Sequence, residues 1–335
     1  MEWPVSNKDK QAPRVVEPPL PVRALGTTGL MVPPLCVGCA PLGSMPATFG
    51  YAVGEEQALA TLRAVFDGPI AFVDTAAAYG DGESERRVGL ALRARGGLPP
   101  GFVLATKADR DLATGDFGGD QIRRSVERSL RLLGLDRLQL CYLHDAEYTT
   151  FEATMAPGGA VEALQRYKEQ GVIEHLGIAC GPIDMTARYV ETGMFEVALS
   201  ANRYTLLNQA AAPIWDLCAR RGVAAINAAP YGGGLLVKGP RAYPRYAYQD
   251  APHELLERAG RLEELCAARG VPLAAAALRF SLRDPRITST IVGIDRPELL
   301  AATVALAQHS IPPELWAELA SVTPTTDDPE AGHFT

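Results

Sequence analysis

Short apolar runs alternate along this chain with longer stretches whose apolar residues recur at helical spacing. The runs lie at residues 35–38, 70–74, 102–107, 138–143, 175–179, 195–200, 223–228 and 290–293, all of strand length. Amphipathic stretches at 55–66, 83–93, 119–133, 159–170 and 183–192 follow the earlier runs, several ending before a glycine as helices do. Strand then helix, repeated, predicts βα units on a parallel sheet. Eight strands favour a closed (β/α)8 TIM barrel, an α/β fold in a single domain, over an open doubly wound sheet. The open sheet also lacks its signature: the only G-x-G after a strand is Gly80 with Gly82, without the third glycine of a dinucleotide-binding turn. The barrel is expected over residues 22–323. Pro4, Pro13, Pro18, Pro19 and Pro21 predict an arm without regular structure at 1–21, and 324–335 reads as a tail.

Composition narrows the classes. The chain has 335 residues, 47% of them hydrophobic, enough to build a substantial core. Its 32 basic and 39 acidic residues leave a net charge of −7 with no basic run, which argues against a nucleic-acid partner. The longest apolar stretches, such as 273–278, are far short of a membrane span, and the N-terminus lacks the apolar core of a signal peptide, so a cytoplasmic protein is expected. Six scattered cysteines read as reduced thiols. Cys36 and Cys39 form a C-x-x-C, but inside what reads as a buried strand and with no second pair for zinc. The histidines at 175, 253, 309 and 333 show no ligand spacing, and no metal site is expected.

In a parallel barrel the chemistry stands at the carboxyl ends of the strands. Three successive runs end in ionisable residues: Asp74, Lys107 and His144. Taken singly, each reads equally as a rim salt bridge or a capping side chain. Together they point to one mouth, which the loop carrying Tyr79, five residues past Asp74, must cross. A phenol titrates near pH ~10 in water, and a neighbouring ammonium favours its phenolate. A carboxylate that holds the lysine completes an acid–base group able to exchange a proton with an alcohol or carbonyl.

With these residues the chain resembles the aldo-keto reductase superfamily, from Val22 to about Val322. The segment Asp74-Thr75-Ala76-Ala77-Ala78-Tyr79-Gly80, continuing through Gly82, Ser84, Glu85 and Gly89, is similar to the signature around its aspartate and tyrosine. Thr106-Lys107 and Leu143-His144-Asp145 resemble its lysine and histidine motifs. The resemblance implies catalytic roles for Asp74, Tyr79, Lys107 and His144. Local phrases around Arg23–Leu30, Ala40–Gly43, Asn202–Leu207 and Pro272–Phe280 are nearest to aldose 1-dehydrogenases acting on L-fucose, D-arabinose or L-galactose.

The resemblance further implies a nicotinamide cofactor across the mouth. Tyr204 is expected to stack under its ring or, equally, to be ordinary packing. Tyr231, Gly232, Gly233, Gly234 and Leu235 are expected near the pyrophosphate, unless they form a plain surface loop. Gly293, Ile294, Asp295 and Arg296, with Thr303 in the following helix, are expected at the adenosine phosphate end. Arg296 suits a 2′-phosphate and Asp295 a free ribose, which leaves NAD and NADP both open with the balance toward NAD. Where many relatives hold the carboxamide with Ser-Asn and Gln, this chain has Ala179-Cys180 and Ala201; Asn202 or Cys180 are the available substitutes. Phe49, Tyr51, Asp109, Asp145 and Tyr148 are expected to line a sugar pocket, with rings over C–H faces and carboxylates taking hydroxyls.

The expected function is thus oxidation of the anomeric carbon of an aldose to a lactone. The alternatives are an NADPH-dependent aldehyde or ketone reductase in a biosynthetic pathway and a non-catalytic, cofactor-binding redox sensor. The sequence carries no signal for the oligomeric state.

Overall fold

The computed structural model describes residues 20–331, so most of the expected arm lies outside the described residues. Eight parallel strands close into a barrel: β1 (Leu35–Gly38), β2 (Phe72–Asp74), β3 (Val103–Ala108), β4 (Leu138–His144), β5 (Ile173–Ala179), β6 (Val197–Ala201), β7 (Ala224–Ala228) and β8 (Ile287–Gly293). β8 pairs back onto β1, with Thr290 opposite Leu35 and Gly293 opposite Gly38. All eight expected strands are present, with ends moved by up to three residues.

Helices α1 (Glu55–Phe66), α2 (Glu83–Arg95), α3 (Gly119–Leu133), α4 (Ala160–Glu169) and α5 (Ile183–Glu191) sit where the amphipathic spacing predicts them. After α6 (Ala212–Arg221), the segment beyond β7 is longer: α7 (His253–Ala268) and α8 (Leu273–Leu282) precede β8, and α9 (Glu298–Gln308) and α10 (Pro313–Ala320) follow it. Among the described residues no single helix is long and apolar enough to cross a membrane.

Side chains alternate along each strand between the barrel interior and the helix layer. On β4, Leu140 and Tyr142 point inward with Phe72, Ala105, Val197 and Ile226, while Cys141 and Leu143 join the outer core. The Tyr142 ring needs space from its neighbour: Gly177 stands opposite it, and a Cβ there would come within 2.3 Å of the ring. One end of the barrel is stoppered by a hairpin, Arg23–Ala24 paired with Met31–Val32, which sends Leu25 and Val32 into the interior cluster at 0% exposure. Gly26 of this hairpin lies against the Ala224 amide at the start of β7, so the stoppered end is the amino end of the strands. The opposite, carboxyl end is left open.

All six cysteines are buried and unpaired. Burial raises the thiols of both Cys36 and Cys39, as expected of core residues rather than a redox pair. Within the described residues, the expected tail is a docked strap over 324–331. Thr325 donates its amide to Leu207 at 2.9 Å and accepts the Gln209 amide at 2.8 Å. Beyond it, buried Arg203 reaches Asp328 at 2.6 Å and Glu330 at 2.5 Å.

Candidate active site

The inward alternation explains the site. Phe72, Ala105 and Tyr142 face the interior, so the residues two positions on, Asp74, Lys107 and His144, face the same way one rung higher, at the open mouth. Lys107 is 1% exposed and uses all three of its donors. It forms an ion pair with Asp74, donates to the Thr75 carbonyl at 2.7 Å and to the Tyr79 hydroxyl at 3.0 Å. Burial opposes its charge, but Asp74 and Tyr79 outweigh burial and hold the ammonium above its usual range.

The phenol behaves differently from the sequence expectation. Lys107 does pull Tyr79 down, yet burial is the larger effect, and the hydroxyl is pushed up to about 12. Tyr79 therefore rests as a phenol at neutral pH, a proton donor that becomes a base on the alkaline side. His144 lies edge-on to its ring, 5.9 Å between centroids. His144 Nδ1 donates to Asp109 Oδ1 at 2.6 Å, and Nε2 faces Asp145 Oδ1 at 3.2 Å. Burial disfavours the imidazolium, but the two carboxylates raise it above an ordinary histidine.

The mouth opens into a cleft of about 280 Å³, near the lower end of the roughly 300–1,000 Å³ of small-molecule sites. Asp74, Tyr79, Lys107 and His144 line it, with Gly293 and, of the expected sugar contacts, Phe49, Asp145 and Tyr148. Tyr148 lies under the Arg110 guanidinium at 3.4 Å. Asp109 does not line the cleft: it is 2% exposed and spent on His144 and the Ala78 amide. Tyr51 is not a lining residue either. It is set toward Asp295, and burial followed by that carboxylate raises its hydroxyl.

Tyr204 is not at the mouth. Its ring is buried against Trp215 and Phe280, and its hydroxyl donates to Asp284 at 2.5 Å, which is the packing role. Gly232, Gly233 and Gly234 all adopt left-handed φ (59°, 74° and 127°), and the space their missing side chains leave goes to this chain's own Tyr246, Tyr248 and Tyr243. Leu235 is fully buried, and the Tyr231 hydroxyl is buried with no hydrogen-bond partner among the described residues. None of these five lines the cleft. Ile294 and Thr303 are buried.

The balance toward NAD rested on Asp295 standing beside Arg296 as a repelling charge. Asp295 is 7% exposed and set toward Tyr51, whereas the Arg296 side chain is 47% exposed. Lys238 and Arg245 lie nearby about the Tyr243 ring. Burial, with Arg296 and Arg245, holds the Lys238 ammonium below its usual range against the pull of Asp295. Three crowded cations at the rim beyond β7 and β8 suit an anionic group.

Sequence reasoning missed Tyr248, Glu147 and Glu330, all of which line the cleft. Tyr248 meets Phe49 edge-on at 5.4 Å. Glu147 Oε1 accepts the Gly181 amide at 2.9 Å, and the Cys180 thiol faces the same carboxyl, while Oε2 is buried without a hydrogen-bond partner at normal distance. Asn202 Oδ1 and Arg203 Nε are likewise buried and unpartnered in the same wall. Two acceptors and one donor unpartnered on residues of this wall match a carboxamide, which offers N–H groups and one carbonyl. The residues present therefore fit a nicotinamide, even without the Ser-Asn and Gln of many relatives. An isolated acid in a loop gives no local signal of such a role.

The aldo/keto reductase family profile matches residues 34–324. D-threo-aldose 1-dehydrogenase of Pseudomonas sp is 34% identical over 323 residues, covering 89% of this chain and 96% of that one. Pyridoxal 4-dehydrogenase of Microbacterium luteolum is 31% identical (89% and 96%), and L-galactose dehydrogenase of Arabidopsis thaliana 31% (85% and 87%). Among solved structures, the holo form of aldo-keto reductase AKR11C1 from Bacillus halodurans superposes with a TM-score of 0.75 at 23% identity, over 93% of this chain and 99% of that one. With the barrel, the polar mouth and these relatives in agreement, the chain belongs to the aldo/keto reductase family and is an oxidoreductase.

Proposed function

We propose that this enzyme oxidises the ring carbon of a cyclic hemiacetal, an aldose in the first instance, to a lactone, with NADP+ as acceptor. The observation that carries this reading is the Lys107–Tyr79 hydrogen bond of 3.0 Å, opening on a cleft that also holds Asp145 and Glu147. The names of the three relatives supply the substrate class. Aldoses, galactose and pyridoxal each carry an aldehyde and a hydroxyl placed to close on it.

The cofactor, when bound, supplies the acceptor carbon for the hydride leaving the substrate. Glu147, Asn202 and Arg203 would hold its carboxamide, and Lys238, Arg245 and Arg296 its phosphates. On the substrate side, the phenolate form of Tyr79 takes the hydroxyl proton as the carbonyl forms. Lys107 stabilises the charge on that oxygen, Asp74 keeps Lys107 ionised, and His144 orients the substrate oxygen. Phe49 and Tyr248 shield the reacting atoms from water.

A second reading, carbonyl reduction with NADPH, is favoured by one observation: burial pushes Tyr79 up to about 12, which suits a proton donor. A soluble cytoplasmic setting fits six unpaired cysteines.

The test follows absorbance at 340 nm with NADP+ and NAD+ against L-fucose, D-arabinose, L-galactose and pyridoxal. Growth of the signal with any of these supports hemiacetal oxidation; silence with all four, together with consumption of NADPH by simple aldehydes, moves the enzyme to the second reading. Arg296→Ala should weaken NADP+ about tenfold to a hundredfold and leave NAD+ unchanged, as expected for loss of a charge-assisted phosphate contact. Equal weakening of both cofactors would refute the 2′-phosphate assignment.

A further inference from the structure

Asp109 follows Lys107 by two residues, where β3 leaves the barrel, and its two carboxylate oxygens serve different parts of the mouth. Oδ1 accepts from His144 Nδ1 at 2.6 Å, while Oδ2 accepts the Ala78 N–H at 2.8 Å, one residue before Tyr79. The backbone behind it is clamped by α3. The Asp109 N–H donates to Ser125 Oγ at 3.0 Å, and its carbonyl accepts from Gln121 Nε2 at 3.3 Å. A carboxylate 2% exposed and held at both ends has little freedom to follow either partner.

We propose that Asp109 is a positioning residue for the reaction: one rigid carboxylate sets the His144 ring and the Tyr79 loop at a fixed separation and holds Nε2 of the imidazole, 3.2 Å from Asp145 Oδ1, at the cleft that His144 and Asp145 both line, where the substrate would meet it. A histidine presents one nitrogen according to what holds the other, and a carboxylate on Nδ1 fixes both the proton there and the plane of the ring. The charges around His144 agree. Asp109 faces it from the β3 exit and Asp145 from the β4 exit, the latter shared with Arg110 at 3.5 Å. Tyr79 stands at its edge, and the Lys107–Asp74 pair lies deeper. Burial and Lys107 act against the imidazolium, and the two carboxylates prevail.

The inference rests on the acid–base reading above, so its test includes a measurement that needs no turnover. The titration midpoint of His144 is read by NMR of the histidine ring carbons in the full chain. His144→Gln identifies the signal among the five histidines. Asp109→Asn should lower the midpoint by about one pH unit or more and reduce kcat about tenfold to a hundredfold, with cofactor Kd unchanged. Ser125→Ala loosens the scaffold and leaves the carboxylate, so it should lower Tm without moving the midpoint. Should Asp109→Asn fail to fold, Asp109→Glu keeps the charge but changes its reach, and kcat should fall while the midpoint stays high. An unmoved midpoint in Asp109→Asn, an equal shift in Ser125→Ala, or full kcat in Asp109→Glu would each overturn the proposal. A shifted midpoint in a protein that oxidises none of the sugars would instead uphold Asp109 and count against the substrate reading.

Discussion

The two halves of the mouth are built to different standards. On the side of β2, β3 and β4, Lys107 spends three donors on Asp74, Thr75 and Tyr79, and Asp109 ties His144 to the Tyr79 loop, while Asp74 Oδ2 and the Tyr142 hydroxyl are left without a hydrogen bond. On the side of β5 and β6, Glu147, Asn202 and Arg203 each keep an unpartnered buried polar atom, and farther round Lys238, Arg245 and Arg296 crowd one another. An unpaired buried polar group costs about 1–3 kcal/mol. The catalytic side chains of the first half therefore hold one another before any ligand arrives, while the unpartnered atoms of the second belong to residues of the cleft wall, where a ligand can relieve them.

The contrast can be broken by experiment. Tyr79→Phe should lower turnover about a hundredfold to ten-thousandfold, the usual worth of a positioned acid–base group, with cofactor Kd within about twofold. A comparable loss of cofactor affinity would mean that the halves are not separate. Asp74→Asn strands the buried Lys107 ammonium and should cost about 3–5 kcal/mol in denaturant unfolding, the penalty for breaking a buried pair from one side. Wild-type stability in that variant would show the first half to be less tightly organised than its contacts imply.

The pH dependence sharpens the point. Because burial pushes the phenol up to about 12, the phenolate fraction, and with it oxidation, should grow about tenfold per pH unit from neutrality toward that value. Reduction should stay flat over the same range and fall only as the phenol is lost. An oxidation rate that levels off near neutrality would assign the proton to another group. The smallest effect belongs to the unfinished half. Glu147→Gln removes a carboxyl that burial and Asp145 already raise, so the ligand-free protein should keep its stability within about 1 kcal/mol while cofactor affinity falls severalfold. A large loss of stability there would erase the distinction.

The same division governs what could be read in the sequence. Asp74, Lys107 and His144 were legible because each closes an apolar strand, and side-chain alternation leaves little choice about which way the next inward residue points. Tyr204 was ambiguous because an aromatic after a strand serves a ring stack or a helix contact equally well, and only Trp215 and Phe280 decide it. The glycines at 232–234 do need their left-handed turns, but the close neighbours are Tyr243, Tyr246 and Tyr248, which no spacing rule names. The strap was read as a tail because its partners, Leu207 and Arg203, lie more than a hundred residues earlier. Contacts of that range carry no local pattern.

The buried cysteines have a consequence for durability. Carbonyl compounds are electrophiles, and the thiolate is the form of cysteine that attacks them. Burial raises Cys36, Cys39, Cys141, Cys218 and Cys266, and Cys180, which borders the cleft, is raised by burial and by the Glu147 carboxyl beside it. A protein whose thiols all stay protonated resists addition of those thiols to carbonyl compounds.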